Sequence, residues 1–559
     1  MSFFNWNGKF YSIILFVSVL LVVLVCGGIV FGWASIVVIF KAKNYYFDLC
    51  TIFYKNNNVS LTNSFSSKAN ESVFSVNSPF HCLKQDDKLN LVFTIASSFV
   101  SISQLPIGLF LDRFGARVAM TLGGSVTFFI SLFLVGCMGL AFIIKGNENF
   151  LFPSFIAIGV GGIVLYLSIL QISNIILWRR KAIIICSISG GFDSSAIVLL
   201  FFKLIYDAGI KLSYILYIYS GLSLLLITFV IVFFIPSQNK LNKWSLEEKS
   251  HNNNSINGCV TLNPKISSNI NHAFERYESF SNVSTPSSEP KFENQTADAR
   301  KLSSIVSTRL STLKTQNMKL SILASVIQSI ITPLYMIEVA CLLNINLKYQ
   351  SYVGFLQPNL ERLTKNNLSE VSKYINIFGY LQLCGVLFTP FIGLTFKRLK
   401  KTEMQNLNEK EIYVSGLRSS IAPYCILNFL AMLFCVFDLI NSMKLQIPTY
   451  ILCATVRGVL YANHATFIGI AFPSSQFGTL FGLSTFLAGV FGLLQYALFY
   501  LTNHVFDGTP FWSNLIQLLL VSLGNAYPIY VWFYSRKKEI TSSTNEPPHH
   551  QNQTISSTN

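Results

Sequence analysis

The chain has 559 residues, of which 52% are hydrophobic and only 12% are charged, and its mean hydropathy is +0.49. Soluble proteins carry about twice this charged fraction, so a soluble globular class is excluded. The net charge of +16 is scattered over the polar segments, which is typical of membrane topology and argues against nucleic-acid binding.

Apolar blocks follow one another along the chain, most of them roughly 20 to 25 residues long, which is the length that one helix needs to cross a bilayer. We predict the first six spans near 11–40, 89–111, 116–143, 150–178, 182–206 and 212–235. We predict the last six near 319–342, 372–396, 416–443, 448–472, 476–502 and 512–535. The first block is too long for the apolar core of a signal peptide, so it is kept as a helix. The sequence therefore predicts an all-α membrane protein with 12 transmembrane helices.

A polar segment divides these spans into two groups. Residues 236–318 are rich in Ser, Asn, Lys and Glu and predict a flexible cytoplasmic linker without a core of its own. The predicted domains are an N-terminal six-helix bundle at 1–235, this linker, a C-terminal six-helix bundle at 319–535 and a cytoplasmic polar tail at 536–559.

Positive charge predicts which side of the membrane is cytoplasmic. Basic clusters at 113–117, 178–181, 397–401 and 536–538 all fall on one side of a twelve-span chain. Lysines in the first loop of the opposite side weaken the pattern, so the orientation depends mainly on the arginine clusters. That same loop contains Cys50 and Cys82, for which a disulfide is a hypothesis.

The segment 106–117, PIGLFLDRFGAR, joins the second and third spans and resembles the major facilitator loop signature. Gly108 permits close helix approach, and Asp112 is placed to accept hydrogen bonds from a helix N-terminus. Gly115 permits a tight turn, while Arg113 and Arg117 can pair with carboxylates on the cytoplasmic side. We interpret these five residues as a conformational latch; the alternative is an ordinary short loop.

The second half carries a degenerate copy of this segment at 389–398, TPFIGLTFKR. A glycine again precedes a charged pair, but Lys397 stands at the acidic position. The copy favours an internal duplication, as in transporters with repeated halves. A chance similarity at a helix end is the alternative.

Several longer stretches are similar to one family. They are GIVFGW at 28–33, FDSS at 192–195, KLIYDAG at 203–209, the run 457–473 and FGTLFGL at 477–483. Together they resemble the large neutral amino acid facilitators of the major facilitator superfamily and the related apicomplexan amino acid transporter family. The resemblance covers both membrane halves but not the linker or the tail, and the seventh span matches poorly. It implies the major facilitator fold with pseudo-twofold symmetry and amino acid transport by facilitated diffusion or exchange.

An amino acid substrate requires partners for both of its charged ends. Its carboxylate is bound by a cation or by backbone N–H groups at a helix break, and its ammonium by oxygens. Gly27, Gly28 and Gly32 in the first span are candidates for exposing such backbone groups. The alternative is that these glycines only let helices pack closely.

Ionisable residues inside the bilayer are costly and therefore mark functional candidates. Asp193, Glu338 and Arg457 fall within predicted spans, the last two in the outer halves of the seventh and tenth. The resemblance implies that the first, fourth, seventh and tenth helices line the cavity. Arg457 and Glu338 are then expected at similar depth, either paired with each other or bound to the two ends of the substrate.

Further candidates lie beside these charges. Asp193 with Ser194 and Ser195 is a candidate for the pocket floor or for proton coupling, with helix packing as the alternative. His464 lies seven residues beyond Arg457, on nearly the same helix face, and a histidine can titrate near neutral pH. A structural histidine is the alternative.

Enzyme motifs are not found in the sequence: we find no P-loop, no metal-ligand cluster and no nucleophile motif. We therefore predict a non-enzyme without cofactor or metal, whose partners are a small solute, most simply an amino acid, and the lipid bilayer. Sugars, organic anions or drugs are alternative cargo, and a non-transporting receptor or scaffold is the alternative class. The plasma membrane is the expected location, with internal membranes as the alternative; the oligomeric state and the proton coupling stay open.

Overall fold

A computed structural model describes residues 8–50, 83–110, 112, 123–144, 146–176, 181–233, 324–395, 409–473 and 476–543. The regular elements of this part of the chain are all helices, which we number as twelve segments. Those of the first half are α1 (Gly8–Cys26 and Trp33–Ala42), α2 (Leu83–Phe110), α3 (Gly123–Ala141), α4 (Leu151–Ile176), α5 (Lys181–Ser194 and Ile197–Asp207) and α6 (Leu212–Phe233).

The second half contributes the other six segments. They are α7 (Ala324–Ile331 and Pro333–Leu363), α8 (Leu368–Leu381 and Cys384–Thr395), α9 (Glu409–Arg418 and Ile421–Ile440), α10 (Met443–Ala471), α11 (Phe477–Gly492 and Leu494–His504) and α12 (Phe511–Ser522 and Ala526–Ser543). The last helix continues past the predicted boundary at 535. The predicted linker lies outside the described residues.

Eight of these segments are long and apolar enough to cross a membrane, and two more, α1 and α7, do so as bent pairs. Burial separates central from peripheral helices. The most apolar window of α5 is 89% buried inside the protein, whereas that of α6 is 33% buried. Side chains such as Leu222 and Leu225 of α6 are exposed, as expected for a surface that faces lipid.

The first span bends by 51° where α1 is interrupted after Cys26. At the break, a side chain on Gly28 would come within 2.6 Å of the backbone oxygen of Phe192 in α5, so only glycine fits. The break therefore lies where α1 packs closely against α5.

The seventh span differs from its predicted limits of 319–342. A bend of 66° separates Ala324–Ile331 from the main helix, which begins after the N-cap Thr332 and continues to Leu363. The apolar run ends early in the sequence because Lys348 and Gln350 are polar, yet both side chains are buried inside the protein. Glu338 consequently lies near the start of α7, and its predicted place in the outer half is wrong.

The two ends of the bundle are defined by α2. We call the end where α2 terminates and α11 begins the inner end, since charge predicts it to be cytoplasmic; the other is the outer end.

Arg457 lies at the middle of Met443–Ala471, not in the outer half of its span as predicted. Cys50, beyond α1, is disulfide-bonded, but the predicted partner Cys82 is outside the described residues.

Candidate functional site

The centre of the protein holds an ion pair between its two halves. Arg457 on α10 donates from Nε to Asp193 Oδ1 on α5, and each residue is only 2% exposed. A buried ion pair in a membrane protein is costly to maintain and marks a functional candidate. The predicted pairing of Arg457 with Glu338 is therefore wrong in this conformation.

Three aromatic rings surround the guanidinium of Arg457. Its central carbon lies 3.4 Å from the ring centroid of Phe31, 4.2 Å from that of Tyr349 and 5.6 Å from that of Tyr461. Such contacts stabilise a cation that has left water. The rings come from three parts of the chain: Phe31 lies in the turn at the break of α1, Tyr349 on α7 and Tyr461 on α10.

Both members of the ion pair retain an unused polar atom. Arg457 Nη1 and Asp193 Oδ2 are buried and have no hydrogen-bond partner among the described residues. Buried polar groups are normally satisfied, so each unsatisfied one requires an explanation. The ion pair therefore offers one positively charged donor, Arg457 Nη1, and one negatively charged acceptor, Asp193 Oδ2, to a ligand that enters the site.

A small cavity adjoins the ion pair between the halves. It has room for roughly one water molecule. Its lining includes Phe31, Ser101, Gln104, Tyr166, Phe192, Arg457 and Tyr461. In this conformation the site is closed, and a solute of amino acid size requires the halves to separate.

The predicted glycine and serine candidates lie beside this site, but their polar groups are already bonded. The backbone nitrogen of Gly28 donates to Ser195 Oγ at 2.6 Å, and Ser195 donates to the backbone oxygen of Phe192. Ser194 Oγ donates to the backbone oxygen of Gln382 in α8 at 2.8 Å and accepts from the nitrogen of Val386.

Close packing explains the other two glycines of the first span. The backbone oxygen of Gly27 lies 2.1 Å from where a side chain on Gly162 of α4 would begin, and a side chain on Gly32 would meet the oxygen of Ala196 at 2.3 Å. The geometry of these residues therefore fits packing of α1 against α4 and α5. Their role as substrate ligands stays a prediction.

Glu338 and His464 form a separate cluster within the C-terminal half. His464 Nδ1 lies 2.9 Å from Glu338 Oε1, and Tyr424 donates to the same oxygen at 2.7 Å. Seven residues along a helix correspond to ~10 Å, so His464 lies well inward of Arg457. The structure brings these two predicted residues together, but not with Arg457.

Asp112 connects the halves at the inner end, as expected for a carboxylate facing a helix N-terminus. It accepts hydrogen bonds from the backbone nitrogens of Gly478 and Thr479 at the start of α11, and from the hydroxyl of Thr479 at 2.7 Å. Burial raises the pKa of the Asp112 carboxyl, and these hydrogen bonds partly oppose that shift. Arg113, Gly115 and Arg117 lie outside the described residues.

Gly108 allows the approach that this contact needs. A side chain there would lie 2.0 Å from the backbone oxygen of Gly478, so the two helices approach closely at this glycine. The role of Gly108 in a conformational latch stays a prediction. α2 and α11 therefore contact each other backbone to backbone at the inner end.

The sequence did not reveal a cluster that closes the outer end. Lys41 at the end of α1 contacts Asp86 of α2 at 2.6 Å and Glu361 of α7 at 2.9 Å. Both carboxylates are buried. Lys41 and Asp86 belong to one half and Glu361 to the other, so this cluster links the halves opposite Asp112.

The aromatic residues around Arg457 were also missed. Only Tyr461 had a signal, because it follows Arg457 by four residues and therefore shares its helix face. Phe31 and Tyr349 lie on other helices, and no spacing in the sequence relates them to Arg457.

Comparisons with known proteins give one family match and several related sequences. The sequence model of the Major Facilitator Superfamily matches residues 60–496. Equilibrative nucleobase transporter 1 of Bos taurus is 27% identical, over 92% of this chain and 94% of that protein. Large neutral amino acids transporter small subunit 3 of Homo sapiens is 27% identical, over 90% of each chain. Among solved structures, the proton:xylose symporter XylE is 14% identical with a TM-score of 0.49, over 95% of this chain and 97% of that one.

Proposed function

The chain belongs to the major facilitator superfamily, and from this premise we propose that it carries amino acids across a membrane by alternating access, through facilitated diffusion or exchange. Membership of this family shows that the protein is a multi-pass membrane transporter with the major facilitator fold, and not an enzyme. Amino acids as the cargo are our proposal.

The ion pair of Arg457 and Asp193 supports this cargo most directly. A zwitterion has a carboxylate and an ammonium a few ångströms apart, and it needs one donor and one acceptor at matching separation. Arg457 Nη1 and Asp193 Oδ2 supply one donor and one acceptor, both buried and both without a hydrogen-bond partner among the described residues. The existing bond from Nε to Oδ1 would remain while the substrate binds, so no buried charge is left alone.

The surrounding rings fit an apolar side chain. Phe31, Tyr166, Phe192 and Tyr461 line the cavity next to the ion pair. Ligand sites of this kind combine apolar walls with a few placed polar groups. A large neutral amino acid satisfies both parts, in keeping with the human relative, whose name states that cargo.

A nucleobase is a second candidate cargo. The bovine relative is named as a nucleobase transporter at the same identity. A planar base could stack on the aromatic rings and hydrogen-bond to Asp193 and Arg457, but it has no full charges to use both of them. The ion pair therefore favours the amino acid.

Radiolabelled uptake and trans-stimulated efflux in oocytes expressing the chain test the proposal. The standard amino acids and the nucleobases are compared, and surface biotinylation checks that the protein reaches the plasma membrane, where we expect it. Saturable amino acid uptake above control supports the proposal. If surface-exposed protein moves nucleobases and no amino acid, the second candidate replaces the first.

Arg457→Lys sharpens this experiment. Lysine keeps the charge beside Asp193 but lacks the rigid planar fork that can bind Asp193 and a substrate carboxylate in a fixed geometry. We expect uptake to be lost at preserved surface expression. Arg536→Lys, the same change at an exposed arginine that stacks on Trp532 at the inner end, is the matched control and should transport like the wild type.

A further inference from the structure

A further buried polar side chain lines the cavity beside Arg457. Gln104 on α2 belongs to the lining, and it is only 2% exposed. Its Oε1 is buried and has no hydrogen-bond partner among the described residues. Because α2 belongs to the N-terminal half and α10 to the C-terminal half, Gln104 and Arg457 line the cavity from different halves of the protein.

A neighbouring carbonyl determines which end of the Gln104 amide is unused. Gln104 Nε2 donates to the backbone oxygen of Val100, one turn earlier in α2, at 3.4 Å. A carbonyl oxygen can only accept a hydrogen bond, so the atom beside it must be the amide nitrogen and the unsatisfied atom must be the amide oxygen. Gln104 therefore has an acceptor, and not a donor, to offer to a ligand.

Close helix packing holds the backbone at Gln104 in place. A side chain on Gly482 of α11 would lie 2.6 Å from the backbone oxygen of Gln104 and 2.9 Å from the α-carbon of Leu105. Because the backbones of α2 and α11 are in contact here, the root of the Gln104 side chain has little freedom to move. Binding groups on rigid helices are positioned more precisely than those on loops.

Polar residues earlier in α2 satisfy their hydroxyl groups within the helix. Ser97 donates to the backbone oxygen of Thr94 at 3.2 Å, and Ser101 donates to that of Ser97 at 3.4 Å. Bonds to the preceding turn are a common way in which a helix satisfies a serine. Gln104 Oε1 lacks such a bond, and an unsatisfied buried acceptor is unfavourable. A ligand that donates to this oxygen would remove that cost.

The cavity lining thus provides one unused acceptor and one unused donor. They are Gln104 Oε1 and Arg457 Nη1, both buried. A zwitterion can satisfy both, since its ammonium donates and its carboxylate accepts. An ammonium group has three hydrogens, so it can donate to Asp193 Oδ2 and to Gln104 Oε1 together. Gln104 is neutral and leaves the balanced charges of Arg457 and Asp193 unchanged, which matters because an unpaired buried charge is costly.

We propose that Gln104 is a specificity-determining residue of the transport site, and that its Oε1 accepts a hydrogen bond from the ammonium group of the solute. This contact favours large neutral amino acids with a free primary ammonium over those whose nitrogen is methylated. The inference rests on the amino acid cargo proposed above, and it adds the group that recognises the amino end.

Ligand binding to the purified full chain tests this contact. Leucine and N,N-dimethylleucine carry the same charges, but only leucine has hydrogens enough for both Asp193 and Gln104. Their Kd values are measured by thermal stabilisation in detergent. We expect Gln104→Met, which removes the acceptor and keeps the length of the side chain, to weaken leucine binding about tenfold, as for one hydrogen bond to a charged group. N,N-dimethylleucine should bind this variant and the wild type equally.

Ser97→Ala is the matched control, because the Ser97 hydroxyl is bonded within α2 and the residue is not part of the cavity lining as described. It should bind both ligands like the wild type. An unchanged preference for leucine over N,N-dimethylleucine in Gln104→Met would overturn the inference.

Gln104→Asn keeps the experiment decisive if Gln104→Met does not fold. It preserves the amide but shortens the side chain, so the acceptor is withdrawn from the cavity and the preference for leucine should fall. A wild-type preference in this variant would contradict the proposed contact.

The wild type separates this inference from the proposed cargo. Adenine is measured beside leucine. If leucine does not stabilise the wild type, whether or not adenine does, the amino acid cargo fails and the ammonium contact fails with it. If leucine stabilises the wild type and the Gln104 variants keep its preference, the cargo stands and only the role of Gln104 is overturned.

Discussion

Asp112 Oδ1 accepts a hydrogen bond of 2.9 Å from the backbone nitrogen of Gly478, which joins the N-terminal half to the first turn of α11 in the C-terminal half. A carboxylate at a helix N-terminus is favoured by the unpaired N–H groups and by the helix dipole. The contact closes the inner end and must break whenever that end opens.

Removing the charge of Asp112 should therefore change transport kinetics. We expect Asp112→Asn to lower the turnover rate by about tenfold, because the lost charge-assisted bonds stabilise one of the two alternating states. The KM should change much less, since the site lies far from Arg457. Uptake kinetics at matched surface expression check this. Asp507→Asn, at an exposed position, is the control, and a pure loss of affinity in Asp112→Asn would contradict the latch.

Gly108 offers a packing test at the same contact. Gly108→Ala places a methyl group 2.0 Å from the oxygen of Gly478, so α2 and α11 must move apart. We expect a lower melting temperature in detergent, corresponding to about 1–3 kcal/mol of overpacking. Gly221→Ala on α6, where nothing lies within 4 Å, should not be destabilised. Equal melting temperatures for the two variants would show that the close approach is not required.

The central ion pair predicts a non-additive stability pattern. Asp193→Asn or Arg457→Gln alone leaves one buried charge without its partner and should cost about 3–5 kcal/mol. The double variant removes both charges and should recover most of the lost melting temperature. All three should fail to transport. If the double variant is as unstable as the sum of the singles, the two residues do not act as a pair.

The outer cluster predicts a change in accessibility. Glu361→Gln removes the negative charge through which α7 of the C-terminal half binds Lys41, so the outer end should open more often. A cysteine placed by Ser101→Cys in the cavity should then react faster with a membrane-impermeant thiol reagent from outside. Glu370→Gln, at an exposed site on α8, is the control. Unchanged labelling would argue against a gate at this cluster.

Sequence patterns predicted well those features that depend on local spacing. Hydrophobic length located most of the spans, and the segment around Asp112 indicated both the close approach at Gly108 and the binding of a helix N-terminus. The predicted limits of the seventh span were wrong, because hydrophobicity alone cannot distinguish a polar loop from a helix whose polar residues face inward. Lys348 and Gln350 are of the second kind.

The pairing of charges required the fold. Asp193 and Arg457 are 264 residues apart in the chain, and their contact depends on how α5 and α10 pack in the folded protein. The sequence by itself determined that this protein resides in a membrane, has two helical halves and contains ionisable residues within its spans. These features follow from composition and from the length and order of the apolar blocks, which can be read without knowing the fold. Only the tertiary structure decided that Arg457 binds Asp193 and that Glu338 binds His464. Partner choice is set by the three-dimensional packing of helices, and no local pattern encodes it.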